Sequence, residues 1–167
     1  MTSTLPPAEG DPGARLINGW RVLLAPSFAA QYTALRNEAR RLKQTLPAEE
    51  YRQHPTVKLA AAIYRLLTEI VPQDPNRPDF MLRSELAKFR RAKGHGLPPR
   101  YRLFWVFSEQ AKTIIFLYLN DTTTLRQQGG RNDPYVLFKR LVERGDIGAD
   151  FAANYAAWQR AQVQSDG

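Results

Sequence analysis

Cysteine is absent from these 167 residues, which removes both a disulfide frame and a thiolate zinc site. Histidine is scarce. His54 and His95 stand 41 residues apart with no HExxH-like spacing, so a zinc hydrolase has no support. Also missing are a GxGxxG turn after a strand and a GK[ST] loop, which sets nucleotide-cofactor enzymes aside. Carboxylates number 16 against 24 basic residues. They are scattered along the chain, only Asp121 follows a core-like strand, and a two-metal nuclease needs them clustered. Neither cofactor nor metal is therefore expected. No apolar run approaches the roughly 18 residues of a membrane span. The start, MTSTLPPAEGDPGAR, has neither a basic n-region nor an apolar h-region, so no export signal is read. These absences lead to the expectation of a cytoplasmic protein with no membrane partner.

What is present is positive charge, a net +8. It is unevenly spread. From Arg83 to Arg102 the chain holds Arg83, Lys88, Arg90, Arg91, Lys93, Arg100 and Arg102 against Glu85 alone, so seven minus one gives +6 in that stretch. A patch of that density suits an anionic partner, nucleic acid first among them.

The apolar pattern centres on 101–119. Tyr101 to Phe107 and Thr113 to Leu119 are strand-like runs around a polar turn, with Arg102 the one charge inside the first. Strands without a polar face need cover on both sides. Before them, Arg15 to Leu24 reads as an edge strand anchored by Trp20. Ser27 is read as the cap of a helix with Phe28, Tyr32, Leu35, Ala39 and Leu42 on one stripe, and Pro47 ends it. Arg36, Arg40, Arg41 and Lys43 lie off that stripe as a solvated face. Thr56 is read as capping a second helix, apolar almost all round through Ile70 and so expected between the first helix and the sheet. Phe80 to Lys93 fits either a short strand or a helical turn. Asp133 and Pro134 start a helix that Gly145 ends, and Phe151, Tyr155 and Trp158 mark the apolar face of the last one. The expectation is one α+β domain over 15–160, an antiparallel sheet packed by two N-terminal helices and by C-terminal helices, with flexible tails at 1–14 and 161–167.

YRLFWVFSEQAKTIIFLYLND, then TLR, a Gly-containing linker and DPYVLFKRLVERG, resembles the YhaV family of bacterial toxins, within the RelE-like ribonuclease superfamily. The NGW at 18–20, Pro26, the Phe28 to Tyr32 helix start and Lys58-Leu59 fit the same pattern, so the likeness runs from about Asn18 to Phe151. It departs between Phe80 and Arg100, where ELAKFRRAKGHGLPP stands in place of a Gly-rich loop and a WxRxKF-like strand. The resemblance implies a RelE-like fold and the toxin component of a type II toxin–antitoxin system, a metal-independent endoribonuclease that cleaves mRNA and inhibits translation and growth. Its implied partners are a PrlF-like antitoxin of the swapped-hairpin type, mRNA with or without the ribosome, and operator DNA through the antitoxin complex. The competing class is a non-catalytic RNA- or DNA-binding module, because phosphate binding alone uses the same cations.

Site residues follow from motif and charge together. Arg102, matching the arginine of the superfamily's YRL strand, is the first candidate phosphate clamp, with an ion pair or an aromatic-stacking cation at the sheet edge as the structural alternative. Arg126, after the last strand, is the candidate for stabilising charge on the phosphate. Arg91 and Lys93 are candidates for phosphate binding or proton transfer, and His95 has the intrinsic pKa for acid–base work. Arg90, Lys88 and Arg100 are candidate RNA contacts, or a solvated strand face. Asn120 is a candidate for orienting the Arg126 loop, or a turn cap. Tyr135 stands where an aromatic can stack on a base, or serve as core.

Overall fold

The Asn18-Gly19 pair shapes the first element, and it does so by turning the chain. In the computed structural model, which describes residues 15–120 and 133–165, both residues take the left-handed conformation, at φ 52° and 81°. Asn-Gly is the sequence best suited to a two-residue hairpin turn. The stretch read as one edge strand is therefore two: β1, Arg15–Ile17, and β2, Trp20–Leu24, paired antiparallel. The tail expected at 1–14 and the loop at 121–132, with Asp121 and Arg126, lie outside the described residues.

Pro26 begins α1, Pro26–Thr45, and the cap reading needs correction. Ala25 is the N-cap and offers no side-chain bond; the Ser27 hydroxyl donates instead to the Leu117 carbonyl at 3.0 Å. A short α2, Ala48–Gln53, follows. The next helix, α3, Pro55–Arg65, is capped by His54, whose Nδ1 accepts from the Thr56 amide at 3.1 Å. It continues as a π turn over Leu66–Ile70 before Pro72. Single turns at Pro78–Phe80 and Ser84–Leu86 lead to β3, Arg90–Ala92.

The apolar runs form β4, Arg102–Ser108, and β5, Thr113–Asn120. The last two helices are α4, Pro134–Glu143, and α5, Phe151–Ser165. Asp133 caps α4, its carboxylate accepting from the Tyr135 amide at 2.7 Å, and Gly145 follows the helix at φ 82°. The last helix runs past residue 160 to Ser165, into the stretch expected as a tail.

The sheet order is β1-β2-β5-β4-β3. Three pairings are antiparallel, and β2 with β5 is parallel. The architecture is α+β, a mostly antiparallel sheet with helices on both faces. Alternating side chains divide the core in two. Trp20, Val22, Leu103, Trp105, Ile114 and Phe116 pack toward Phe28 of α1 and Ile63 of α3. Leu23, Phe104, Val106 and Ile115 pack toward Phe138 of α4 and Trp158 of α5. Beside α1, and not between α1 and the sheet as its sequence suggested, α3 shares the first face and leaves Lys58, Ala61 and Arg65 exposed.

One irregularity matters for the site. The register shifts between Phe104, opposite Tyr118, and Trp105, opposite Phe116, so Leu117 is the extra residue of a β-bulge. Leu117 and Tyr118 consequently both lie with the second core, and alternation resumes with Leu119 in the first. Asn120 thereby shares the face of its partner Arg102.

Candidate active site

Residues of β3 and β4 that oppose each other point the same way. Arg91 pairs with Phe104, and Arg102 lies two residues before Phe104, so both arginines project on the face covered by α4. The first turn of α4 sets Tyr135 above them. Its position is fixed by the Asp133 cap and by Phe138 one turn on, which stacks on Phe104 at 3.9 Å between centroids. The Tyr135 hydroxyl accepts from Arg91 Nε at 2.8 Å and from Arg102 Nε at 3.1 Å. Each guanidinium carbon lies 5.7–5.8 Å from the ring centroid. Because both bond the hydroxyl, the cations gather at that end of the ring, and hydrogen bonds account for the pairing more than the ring face does.

Arg91 Nη1 donates further to the Asp79 carbonyl and Arg102 Nη1 to the Tyr101 carbonyl, each at 2.8 Å. Among the described residues neither arginine forms an ion pair with a carboxylate, and Nη2 of each has no hydrogen-bond partner. Two guanidinium charges sharing one neutral acceptor repel each other. An anion bridging them would reverse the sign of that interaction, and a guanidinium offers the geometry a phosphate oxygen requires.

Beside them sits Asn120. It is 1% exposed, and neither its amide nitrogen nor its amide oxygen has a partner among the described residues. Side chains of α1 fasten the strand that carries it. Beyond Phe116 no β2 residue pairs with β5, and Gln31 takes that place by donating to the Leu119 carbonyl at 2.8 Å and accepting from the Leu119 amide at 2.9 Å. This role of Gln31 was invisible in the sequence, where it reads as an ordinary polar residue on a helix.

The other candidates fall elsewhere. Arg90, opposite Trp105, faces the first core. Its Nε and Nη2 donate to Asn76 Oδ1 at 3.0 and 2.8 Å, Nη1 donates to the Ala87 and Phe89 carbonyls, and the guanidinium lies 5.3 Å from the Phe107 ring. Burial lowers its pKa. Arg90 is a structural clamp, and the structure does not bring it to the Arg91–Arg102 pair. His95 adopts φ 53° in the loop after β3, with its ring 6.1 Å from that of Phe80 in the first core, outside the Tyr135 group. Lys88 and Lys93 are exposed at the two ends of β3, and Arg100 is exposed at φ 69° just before β4. Arg126 lies outside the described residues. No group of three or more His, Asp or Glu that could hold a metal ion occurs among the described residues.

By fold and site this is an α+β protein in which two arginines converge on one tyrosine hydroxyl, with no carboxylate paired to either among the described residues. Comparison with known proteins narrows that class. The family model described as a toxin with endonuclease activity, of a toxin–antitoxin system, matches residues 22–159, and the chain belongs to this family, the YhaV toxins. "Ribonuclease toxin YhaV" of Escherichia coli K12 is 35% identical over 141 residues, covering 81% of this chain and 89% of the relative. "Toxin YhaV" of Escherichia coli O157:H7 and "Toxin YhaV" of Escherichia coli O6:H1 match with the same identity and coverage. No solved structure gives a significant match. The chain is thus an endonuclease toxin of a toxin–antitoxin system, with an antitoxin as its partner. No helix among the described residues is long and apolar enough to cross a membrane.

Proposed function

We propose that this toxin is a metal-independent endoribonuclease that cleaves mRNA at the Arg91–Tyr135–Arg102 group. The observation that carries the reading is the convergence of two guanidinium groups on one tyrosine hydroxyl, with no carboxylate paired to either among the described residues. In the reaction the ribose 2′-oxygen attacks the adjacent phosphorus, its proton passes to a base, and the 5′-oxygen leaves with a proton. The products are a 2′,3′-cyclic phosphate and a 5′-hydroxyl. The attack requires a 2′-OH, so RNA and not DNA is the substrate.

Nη2 of Arg91 and of Arg102 hold the non-bridging phosphate oxygens and stabilise the charge that grows on them. Tyr135 uses its oxygen lone pairs for the two arginines, which leaves its O–H free to donate to the phosphate or to the departing oxygen. Arg126 adds a further cation to the same phosphate, and the Asn120 amide binds the ribose or orients the loop after β5. Lys93, His95, Lys88 and Arg100 form a basic approach. Arg90 supports β3. The partner is a PrlF-like antitoxin of the swapped-hairpin type, through which operator DNA is bound, and the toxin acts in the cytoplasm on free or ribosome-bound mRNA.

The test is cleavage of a defined RNA by purified toxin in EDTA, with termini analysed chemically. Expected are cyclic phosphate ends, and a loss of about 10²–10³-fold in single-turnover rate for Arg102→Ala and for Arg126→Ala. RNA left intact by a folded protein that still binds it would replace this reading with a non-catalytic binding module.

A further inference from the structure

A second cationic site lies on the helical layer over the other face of the sheet. α1 presents Arg36, Arg40 and Lys43 at steps of four and three, one stripe of the helix. Tyr64 and Arg65 of α3 stand opposite, and Tyr51 of α2 joins them. They enclose a cleft of about 390 Å³, with the buried Tyr32 also in its lining. The sequence suggested a solvated face for these cations. Arg40 and Lys43 are exposed, as is Arg41, which pairs with Glu38, and with Arg36 they also line a shaped concavity.

Among the described residues no carboxylate lines the cleft. Of the acids nearby, Glu38 pairs with Arg41, Glu49 with Arg52, and Glu69 with Arg65 itself at 3.7 Å. Arg40 also donates to Asn37 Oδ1 at 3.2 Å, and the Arg36 guanidinium lies 5.5 Å from the Tyr32 ring centroid. Three cations with no carboxylate partner among the described residues, Arg36, Arg40 and Lys43, stand around aromatic walls and concentrate positive potential where an anion can enter.

We propose that this cleft binds single-stranded RNA, with phosphates on Arg36, Arg40 and Lys43 and a base against Tyr51 or Tyr64. An acidic peptide would satisfy the cations and leave the tyrosine faces without a partner of matching chemistry. A nucleotide carries the anion and the π face in one unit, the combination that sequence-tolerant single-strand sites use. The volume suits one or two such units.

The cleft lies over the sheet face opposite the one that carries the Arg91–Arg102 pair, so it would act as an exosite that anchors the chain away from the scissile phosphate. This rests on the RNA reading above.

The experiment uses the full chain and a fluorescent single-stranded 2′-O-methyl RNA, which the 2′-oxygen cannot cleave, with anisotropy read against salt. For the exposed pair R40Q/K43Q, affinity should fall at least tenfold and the salt slope should shrink by about 0.7 for each phosphate no longer neutralised. Tyr51→Leu keeps the wall apolar but removes the stacking face, and should lower affinity roughly tenfold. 4-Thiouridine in the RNA should photo-crosslink to Tyr51 or Tyr64. Unchanged affinity and slope in R40Q/K43Q, or crosslinks confined to β3, β4 and α4, would overturn the proposal. So would displacement by an acidic peptide from a cleft that forms no RNA crosslink. Binding to uncleavable RNA is read separately from cleavage, so failure of the exosite and failure of the nuclease reading give different results.

Discussion

Arg91 and Arg102 come from adjacent strands and share a hydroxyl from a helix that begins over 30 residues later, while Arg90, next in the chain to Arg91, turns to the opposite core. That division makes neighbouring arginines separable by experiment. Tyr135→Phe keeps the ring and its edge contact with Phe104 but removes the acceptor and the O–H. Single-turnover cleavage should fall roughly tenfold to a hundredfold while the unfolding midpoint barely moves. Arg90→Met should behave in the opposite way. It loses the bonds to Asn76 and to two carbonyls, which costs about 1–2 kcal/mol in urea unfolding, and cleavage per folded molecule stays unchanged. Equal loss of rate in both variants would place Arg90 in the active site and refute the assignment.

At the scale of elements, the site depends on how β5 ends. β2 stops pairing at Leu24 opposite Phe116, and the remaining edge is completed by Ser27 and Gln31 of α1. Because the bulge at Leu117 turns Asn120 toward Arg102, a looser strand end disturbs the site without altering any residue in it. Gln31→Leu leaves the Leu119 amide and carbonyl unpaired, and should cost about 1–3 kcal/mol. It should also reduce cleavage, with faster hydrogen exchange confined to the end of β5. Global exchange with normal cleavage would show that α1 matters only for stability. The α4 layer has a similar dependence, since Phe138 holds Tyr135 in place through its stack on Phe104.

For the molecule as a whole, two basic surfaces lie on opposite helical layers of one sheet, and burial beneath one of them makes stability respond to alkali. Burial raises the Tyr32 phenol above its ordinary value near 10, opposed in part by Arg36 and Arg15. Below that value the folded and unfolded chains both keep the proton, and the full stability is present. As pH rises through it the unfolded chain ionises first, so stability declines until the folded pKa is passed. Urea unfolding across this range should show a shallower alkaline loss in Tyr32→Phe than in the parent, and identical slopes would remove Tyr32 as the cause. The α+β class, the β4–β5 hairpin, the Asp133 cap and the basic segment were legible in the chain alone, since apolar periodicity, turn chemistry and local charge are short-range properties. The family likeness, which spans most of the chain, was legible there too. The parallel β2–β5 pairing, the bulge that aims Asn120, the separation of Arg90 from Arg91 and the opening of the α1–α3 cleft were settled only by packing. The physical reason is that a side chain's face depends on register and on the partner strand or helix, and neither is encoded within the segment that bears the residue.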